Sequence, residues 1–183
     1  MELPFLYKEL SLPSPPPHLL PDSNPVNLKK IMREYQSQMI LKNGKHSTSV
    51  ENNLYYLKPE LEAWIKENIC DSFNDVGLKY NFFTNERTFL APHTDVTRHY
   101  VLIYNLLSGD GDLVFWKETN FPVQRQTFTR HLPANYDDLE EVLRIKTPSQ
   151  KWFIMNGSVL HSVENLLNDR VQLQVSLNVN PFE

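Results

Sequence analysis

Residues 100–117 read Tyr100-Val101-Leu102-Ile103-Tyr104-Asn105-Leu106-Leu107, then Ser108-Gly109-Asp110-Gly111-Asp112, then Leu113-Val114-Phe115-Trp116-Lys117. Two aromatic and β-branched runs of strand length flank a cluster of Gly and Asp, the residues that enter φ > 0 most readily, and that is the texture of two strands joined by a hairpin. The texture continues in both directions. Leu78 to Phe83, Leu143 to Thr147, Lys151 to Met155, Val159 to Val163 and Val171 to Val179 are further short runs, and Asn156-Gly157 supplies a second tight turn. Seven antiparallel strands are therefore expected from about Gly77 onwards.

Upstream of Gly77 the pattern turns helical. Leu28, Ile31, Met32, Tyr35 and Met39 recur at three- and four-residue steps after Asn27, with Gly44 as a stop. A polar stretch from Ser47 to Asn53 leads to a second such face, Leu61, Trp64, Ile65 and Ile69, opened by Pro59 in the first turn. The first 25 residues hold seven prolines, including Pro15-Pro16-Pro17, and should run extended over a core. At 183 residues the chain suits one domain: a Pro-rich extended leader (1–25), helical support (26–76) and a β core (77–183). Helices first and evenly spaced strands afterwards predict a mainly β architecture with flanking helices, a jelly roll or barrel braced on one face.

Composition narrows the function classes. Hydrophobic residues at 40% and charged residues at 22% are ordinary globular values, which sets aside wholesale disorder. A net charge of -4 argues against an extended phosphate-binding face, so no nucleic-acid partner is expected. No apolar run approaches the roughly 20 residues that span a bilayer, and the N-terminus lacks the order of a secretory signal; a cytoplasmic protein is the expectation. Cys70, the single cysteine, reads as a small buried residue near a helix end and leaves any metal to His and carboxylate ligands.

His93 and Asp95, preceded by Pro92, stand two apart at the start of a strand, so both project from one face and can close on one ion. Alone, such a pair is a weak signal. Its context is His161, 66 residues beyond Asp95, in the run Ser158-Val159-Leu160-His161-Ser162-Val163. Alternation puts Val159, His161 and Val163 on one face, and an inward-facing imidazole needs partners for its nitrogens. Two imidazoles and one carboxylate form the facial set of non-haem Fe(II), with open positions for chemistry. The competing reading makes His161 a core histidine and His93-Thr94-Asp95 a surface loop. Arg170 weighs against it, nine residues after His161 at the head of Arg170-Val171-Gln172-Leu173-Gln174-Val175-Ser176-Leu177. Were the two runs a hairpin, Arg170 would lie diagonal to His161, roughly 7–8 Å away, a gap that a five-carbon 2-oxo diacid bridges with one carboxylate in the guanidinium fork.

On Pro92-His93-Thr94-Asp95, Asn156-Gly157-Ser158-Val159-Leu160-His161-Ser162-Val163 and Asn168-Asp169-Arg170 the chain resembles the 2-oxoglutarate and Fe(II)-dependent dioxygenases. The resemblance covers Leu78 to Val179. It implies a double-stranded β-helix core of the jelly-roll, cupin-like type, with His93, Asp95 and His161 as iron ligands and Arg170 holding the far carboxylate of 2-oxoglutarate. It also implies O₂ as oxidant, release of succinate and CO₂, and hydroxylation of an amino-acid, peptidyl or other small organic substrate. Asp95 stands where halogenase members carry a small residue, which disfavours that branch. Gln172 departs from the frequent Arg-x-Ser pattern, so the second cosubstrate contact falls to Tyr80, Asn81, Tyr104 or Ser176.

Arg98 has the wrong parity for the metal face and reads as structural or solvent-facing, unless a bulge turns it towards a carboxylate of substrate or cosubstrate. His99 has the right parity and reads as a wall residue; His18, His46 and His131 have no metal-like spacing and read as surface. Trp116, Trp152 and Tyr55-Tyr56 read as core or lid. The polar segment from Thr119 to Asp138, with Arg125, Arg130 and His131, reads as a lid or binding loop. Two other classes stay open: a cupin-like metalloprotein, either an isomerase or an oxygenase needing no diacid, and a non-catalytic binding module. A buried guanidinium near the metal separates the dioxygenase from the first, and metal binding separates it from the second.

Overall fold

The computed structural model describes residues 4–21, 30–34, 38–40, 46–48, 51–85, 88–95, 98–119, 125–126, 130–132 and 136–182. Two antiparallel sheets face one another. In spatial order the larger runs β1 (Tyr7–Leu10), β13 (Trp152–Asn156), β8 (Tyr100–Ser108), β15 (Arg170–Leu177), β6 (Asp75–Phe82), β5 (Glu51–Tyr55) and β2 (Lys30–Glu34). The smaller runs β10 (Arg125–Gln126), β11 (Arg130–Leu132), β7 (Leu90–Asp95), β14 (His161–Glu164), β9 (Asp112–Glu118) and β12 (Leu139–Lys146). A separate ribbon pairs β3 (Gln38–Ile40) with β4 (His46–Thr48). This is the mainly β, jelly-roll-like architecture expected from the runs, and all seven predicted strands form.

Period-two alternation gives each sheet its two faces. Val101 and Ile103 of β8, Leu113 and Phe115 of β9, and Phe153 and Met155 of β13 meet between the sheets. Their neighbours Leu102, Tyr104, Trp152 and Ile154 turn outward, with Val171, Leu173, Val175 and Leu177 of β15. That outer face is closed by Leu61 and Ile65 of α1 (Pro59–Asn68), whose Pro59 opens the first turn as expected and whose Glu60 and Glu62 sit favourably at the positive end of the helix dipole. Cys70 is buried just past the helix end, as expected. Among the described residues of the leader, Tyr7–Leu10 pairs with β13, Pro17–Leu19 makes a short 3-10 turn where no helix was expected, and Pro13 O accepts from Trp152 Nε1 at 2.8 Å.

Three expectations are corrected. The helix read from Leu28 to Met39 is replaced, where residues are described, by β2 and β3; β2 completes the edge beside β5, and a pairing partner outweighs a helix propensity worth tenths of a kcal/mol per residue. Asn156-Gly157 and the Gly109–Asp112 turn do not close hairpins: each carries the chain from one sheet to the other, as Greek-key winding requires. Gly109 and Asp110 do take positive φ, 70° and 55°. The segment from Thr119 to Asp138 supplies β10 and β11, and β11 extends the smaller sheet beside β7. Among the described residues no helix is long and apolar enough to cross a membrane.

Candidate metal centre

β7 and β14 are neighbours in the middle of the smaller sheet, and their register sets His93 directly opposite His161. Cross-strand partners on one face of an antiparallel pair lie within side-chain reach, and the two imidazole centroids are 4.4 Å apart. Asp95 stands at the end of β7 rather than near its start, on the same face as His93. Its backbone N–H donates to Gly157 O at 2.8 Å, which pins the strand end where the chain arrives from the opposite sheet. Nitrogen and oxygen atoms of His93, Asp95 and His161 all lie within 4.8 Å of one another, and all three residues are buried. His93 Nε2 and Asp95 Oδ1 are separated by 3.8 Å.

The donor set suits a metal ion. Nδ1 of His93 lies 2.7 Å from Ala91 O, and Nδ1 of His161 lies 2.8 Å from Val159 O. A carbonyl only accepts, so each Nδ1 carries a proton, and the neutral form of either ring has its lone pair on Nε2, the arrangement that carbonyl partners impose on metal-ligating histidines. Burial holds the pKa of His161 down to about 4, against the pull of Asp95 in the other direction, so the ring is neutral at ordinary pH. Two such nitrogens and a carboxylate match the facial set of non-haem Fe(II).

Gly157 is part of this site for a reason the turn reading missed. It does not adopt positive φ; a Cβ there would lie 2.9 Å from Asp95 Oδ2 and 3.3 Å from Asp95 Cβ. A side chain there would make the Asp95 carboxylate shift. Gly157→Ala should therefore push the carboxylate off its position and weaken Mn(II) binding about tenfold, within the roughly 1–3 kcal/mol that overpacking costs. A Mn(II) titration followed by electron paramagnetic resonance reads this, and unchanged affinity would show that the Asp95 position does not matter to the site.

Arg170 heads β15, and here the expected hairpin is corrected: β14 pairs with β7 and β9, whereas β15 pairs with β6 and β8 in the other sheet. Arg170 thus faces the histidines across the sandwich. His93, Asp95, His161 and Arg170 line one narrow cleft of about 20 Å³, with Lys79, Arg98 and Gln174 among its other walls. Arg170 is only 3% exposed. Among the described residues it has no acidic partner, its one hydrogen bond is a long 3.4 Å contact to Asn81 Oδ1, and its Nε has none. Burial pulls its pKa down to about 9.

The remaining candidates separate cleanly. Asn81 is buried opposite Arg170 in the β6–β15 register and Ser176 shares the inner face of β15, receiving a long 3.5 Å bond from Arg98. Tyr104 and Tyr80 are corrected: even-numbered residues of β6 and β8 face outward, where Tyr104 packs on Trp152 with centroids 5.1 Å apart and Tyr80 stacks on Phe82 at 4.6 Å. His99 is exposed and meets Ser158 Oγ at 3.0 Å, outside the cluster. His18 is exposed, while the side chains of His46, Arg125, Arg130 and His131 lie outside the described ones. Trp116, Trp152 and Tyr55 are core residues.

Sequence reading missed two residues of the cleft. Lys79 is buried on the inner face of β6, and its spacing from Asn81 opposite the outward Leu78 and Tyr80 was the available signal. Arg98 was expected to point away, yet its Nε donates to Asp95 Oδ2 at 2.7 Å. It lies just beyond the end of β7, where strand parity no longer applies.

No family model matches the chain, and no curated protein does. Solved structures similar to it include E. coli ycfD, at 11% identity and a TM-score of 0.46 over 81% of this chain and 43% of that one. They also include SnoN, described as a non-heme alpha ketoglutarate dependent epimerase from nogalamycin biosynthesis, at 12% identity and a TM-score of 0.40 over 78% of this chain and 66% of that one. SnoN in complex with Fe3+, alpha ketoglutarate and nogalamycin RO matches at 9% identity and a TM-score of 0.41, over 79% of this chain and 68% of that one. The chain thus spans less than half of ycfD and about two thirds of SnoN. The functional reading rests on the site's own geometry.

Proposed function

We propose that this chain is a non-haem Fe(II) and 2-oxoglutarate-dependent dioxygenase that hydroxylates a C–H bond of an amino-acid, peptidyl or other small organic substrate. His93, Asp95 and His161 hold the ion, and Arg170 takes the far carboxylate of the diacid. The observation that carries the reading is the guanidinium of Arg170, buried without an acidic partner among the described residues and facing a His-Asp-His cluster across one cleft. A buried, under-bonded cation costs several kcal/mol. A bound carboxylate offsets that cost through a charge-assisted fork. A cupin-like metalloprotein with no diacid, or a binding module, has no such use for it.

The chain's residues divide the work between the two sheets. The smaller sheet orients two neutral imidazoles through the carbonyls of Ala91 and Val159, and fixes the carboxylate of Asp95 beside Gly157. The larger sheet anchors the cosubstrate's charged end at Arg170. Val101, Ile103, Leu113, Met155 and Val163 give the cleft apolar walls that exclude water. Bound Fe(II) supplies the redox chemistry that couples decarboxylation of 2-oxoglutarate to succinate and CO₂, with O₂ as oxidant, to oxidation of the substrate.

The test is an anaerobic titration with Fe(II) and then 2-oxoglutarate. A weak visible charge-transfer band that appears only with both, followed by succinate release on admitting O₂, is the expected outcome. Metal binding with no band and no succinate would leave a metalloprotein of another kind.

A further inference from the structure

Resting on the proposed metal site, we infer that Arg98 is a positioning residue that reserves one oxygen of Asp95 for the metal, and that it ties the metal group to the opposite sheet through a chain of buried amides. The juxtaposition is specific. Arg98 Nε donates to Asp95 Oδ2 at 2.7 Å, while the other oxygen, Oδ1, is the one 3.8 Å from His93 Nε2. The Asp95 carboxylate is buried and the Arg98 side chain is 17% exposed, so little solvent competes for the pair. An Oδ2 already engaged in a short charge-assisted bond is a poor second ligand. Asp95 would thereby offer a metal Oδ1 alone, which would leave room beside it for the diacid and for oxygen.

Arg98 is itself held from the far side. Its second nitrogen donates to Gln174 Oε1 at 3.0 Å; Gln174 Nε2 donates to Gln172 Oε1 at 3.0 Å, and Gln172 Nε2 to Asn105 Oδ1 at 2.6 Å. Asn105 Nδ2 ends the chain on Pro148 O at 2.7 Å. Gln172 and Gln174 alternate with the outward Val171, Leu173 and Val175 on β15, and Asn105 lies beside them on β8, opposite Gln172 in register. Each amide offers its oxygen or nitrogen to a neighbour with the complementary need, so the direction of every bond is set from Arg98 inward. Gln172, the departure from the Arg-x-Ser pattern, thus has a structural use: it is the middle link that aims Gln174 at Arg98.

Four proteins decide this: wild type, Arg98→Met, Arg98→Lys and Gln174→Leu, each measured for Mn(II) affinity by electron paramagnetic resonance and for the visible d–d spectrum of the Co(II) form. Arg98→Met is expected to bind Mn(II) roughly 10–100-fold more weakly, the usual effect of removing a side chain that hydrogen-bonds a metal-ligating carboxylate. Its Co(II) spectrum should shift as Asp95 adds its second oxygen, a change that a packing role would not produce. Arg98→Lys should recover part of the affinity, since an ammonium reaches Oδ2 but cannot span Oδ2 and Gln174 together. Gln174→Leu, which leaves Arg98 in place, should move both readouts the same way by a smaller factor; should the methionine substitution prevent folding, the lysine and leucine variants carry the test. Affinity and spectrum unchanged in the folded variants would overturn the role of Arg98 and leave the metal site standing. A wild type that binds neither ion would instead remove the proposed function, and this inference with it.

Discussion

His161→Ala is expected to reduce 2-oxoglutarate-dependent succinate formation to background while the chain stays folded. In the proposed site His161 would be one of two nitrogen ligands, set at the centre of a sheet, and among the described residues no other histidine joins His93 and Asp95 in the cluster. Its removal leaves two ligands, too few to hold a divalent ion in a defined geometry. The structural cost is moderate: the ring packs against His93 and Phe115 and donates once to Val159 O. Truncation should cost about 2–4 kcal/mol against a total near 5–15 kcal/mol. Metal-free protein gives a second signature. The folded chain keeps this imidazole unprotonated down to about pH 4, whereas an unfolded histidine takes its proton near 6.5. Between those values the unfolded state binds more protons, so wild-type stability falls as the pH drops from 6.5 towards 4, by up to about 3 kcal/mol, and is unaffected above that window. The alanine variant lacks this contribution. Denaturant titrations of both metal-free proteins at pH 7 and pH 4.5 read the difference, and equal losses would mean that the ring is not held neutral by burial.

What the sequence revealed about this site followed the reach of local rules. Alternation needs no knowledge of partners, so Val159, His161 and Val163 could be set on one face from text alone, and His161 and Val163 line the cleft together. His93 and Asp95 were legible for the same reason. Pairing is non-local, and the reading failed there: Arg170 was placed beside His161 as a hairpin neighbour, but it reaches the cleft from the opposite sheet. Arg170 still lines the cleft, through another contact than the expected one, because both geometries bring a residue nine positions on back to the same end of the fold. Tyr104 failed through parity, since its run begins at a strand whose inner face could not be assigned without a partner. Arg98 failed because parity was carried past the end of β7. The stretch at 28–39 failed because a few apolar residues at helical steps carry little free energy, and an open sheet edge carries more.

Arg170→Met is expected to move two quantities in opposite directions. Affinity for 2-oxoglutarate should fall by roughly 10²–10³-fold, because truncating one partner of a buried, hydrogen-bonded charge pair costs about 2–5 kcal/mol. Affinity for Mn(II) alone should stay within twofold, since Arg170 belongs to the other sheet and is not part of the His-Asp-His cluster. Stability of the ligand-free protein, in contrast, should rise. The guanidinium is buried with its Nε unbonded and no acidic partner among the described residues, so the folded chain bears a desolvation cost that an apolar side chain of similar length does not. Replacing such a charge commonly returns about 1–4 kcal/mol, or a rise in Tm of about 2–4 °C per kcal/mol at this size. A gain in stability with a loss of cosubstrate is the signature of a residue kept for binding at the expense of folding. Isothermal titration with 2-oxoglutarate in the presence of Mn(II), beside thermal denaturation of the apo forms, measures both. A variant that loses stability while keeping its cosubstrate affinity would make Arg170 a structural cation, and the diacid would have to be anchored elsewhere in the cleft.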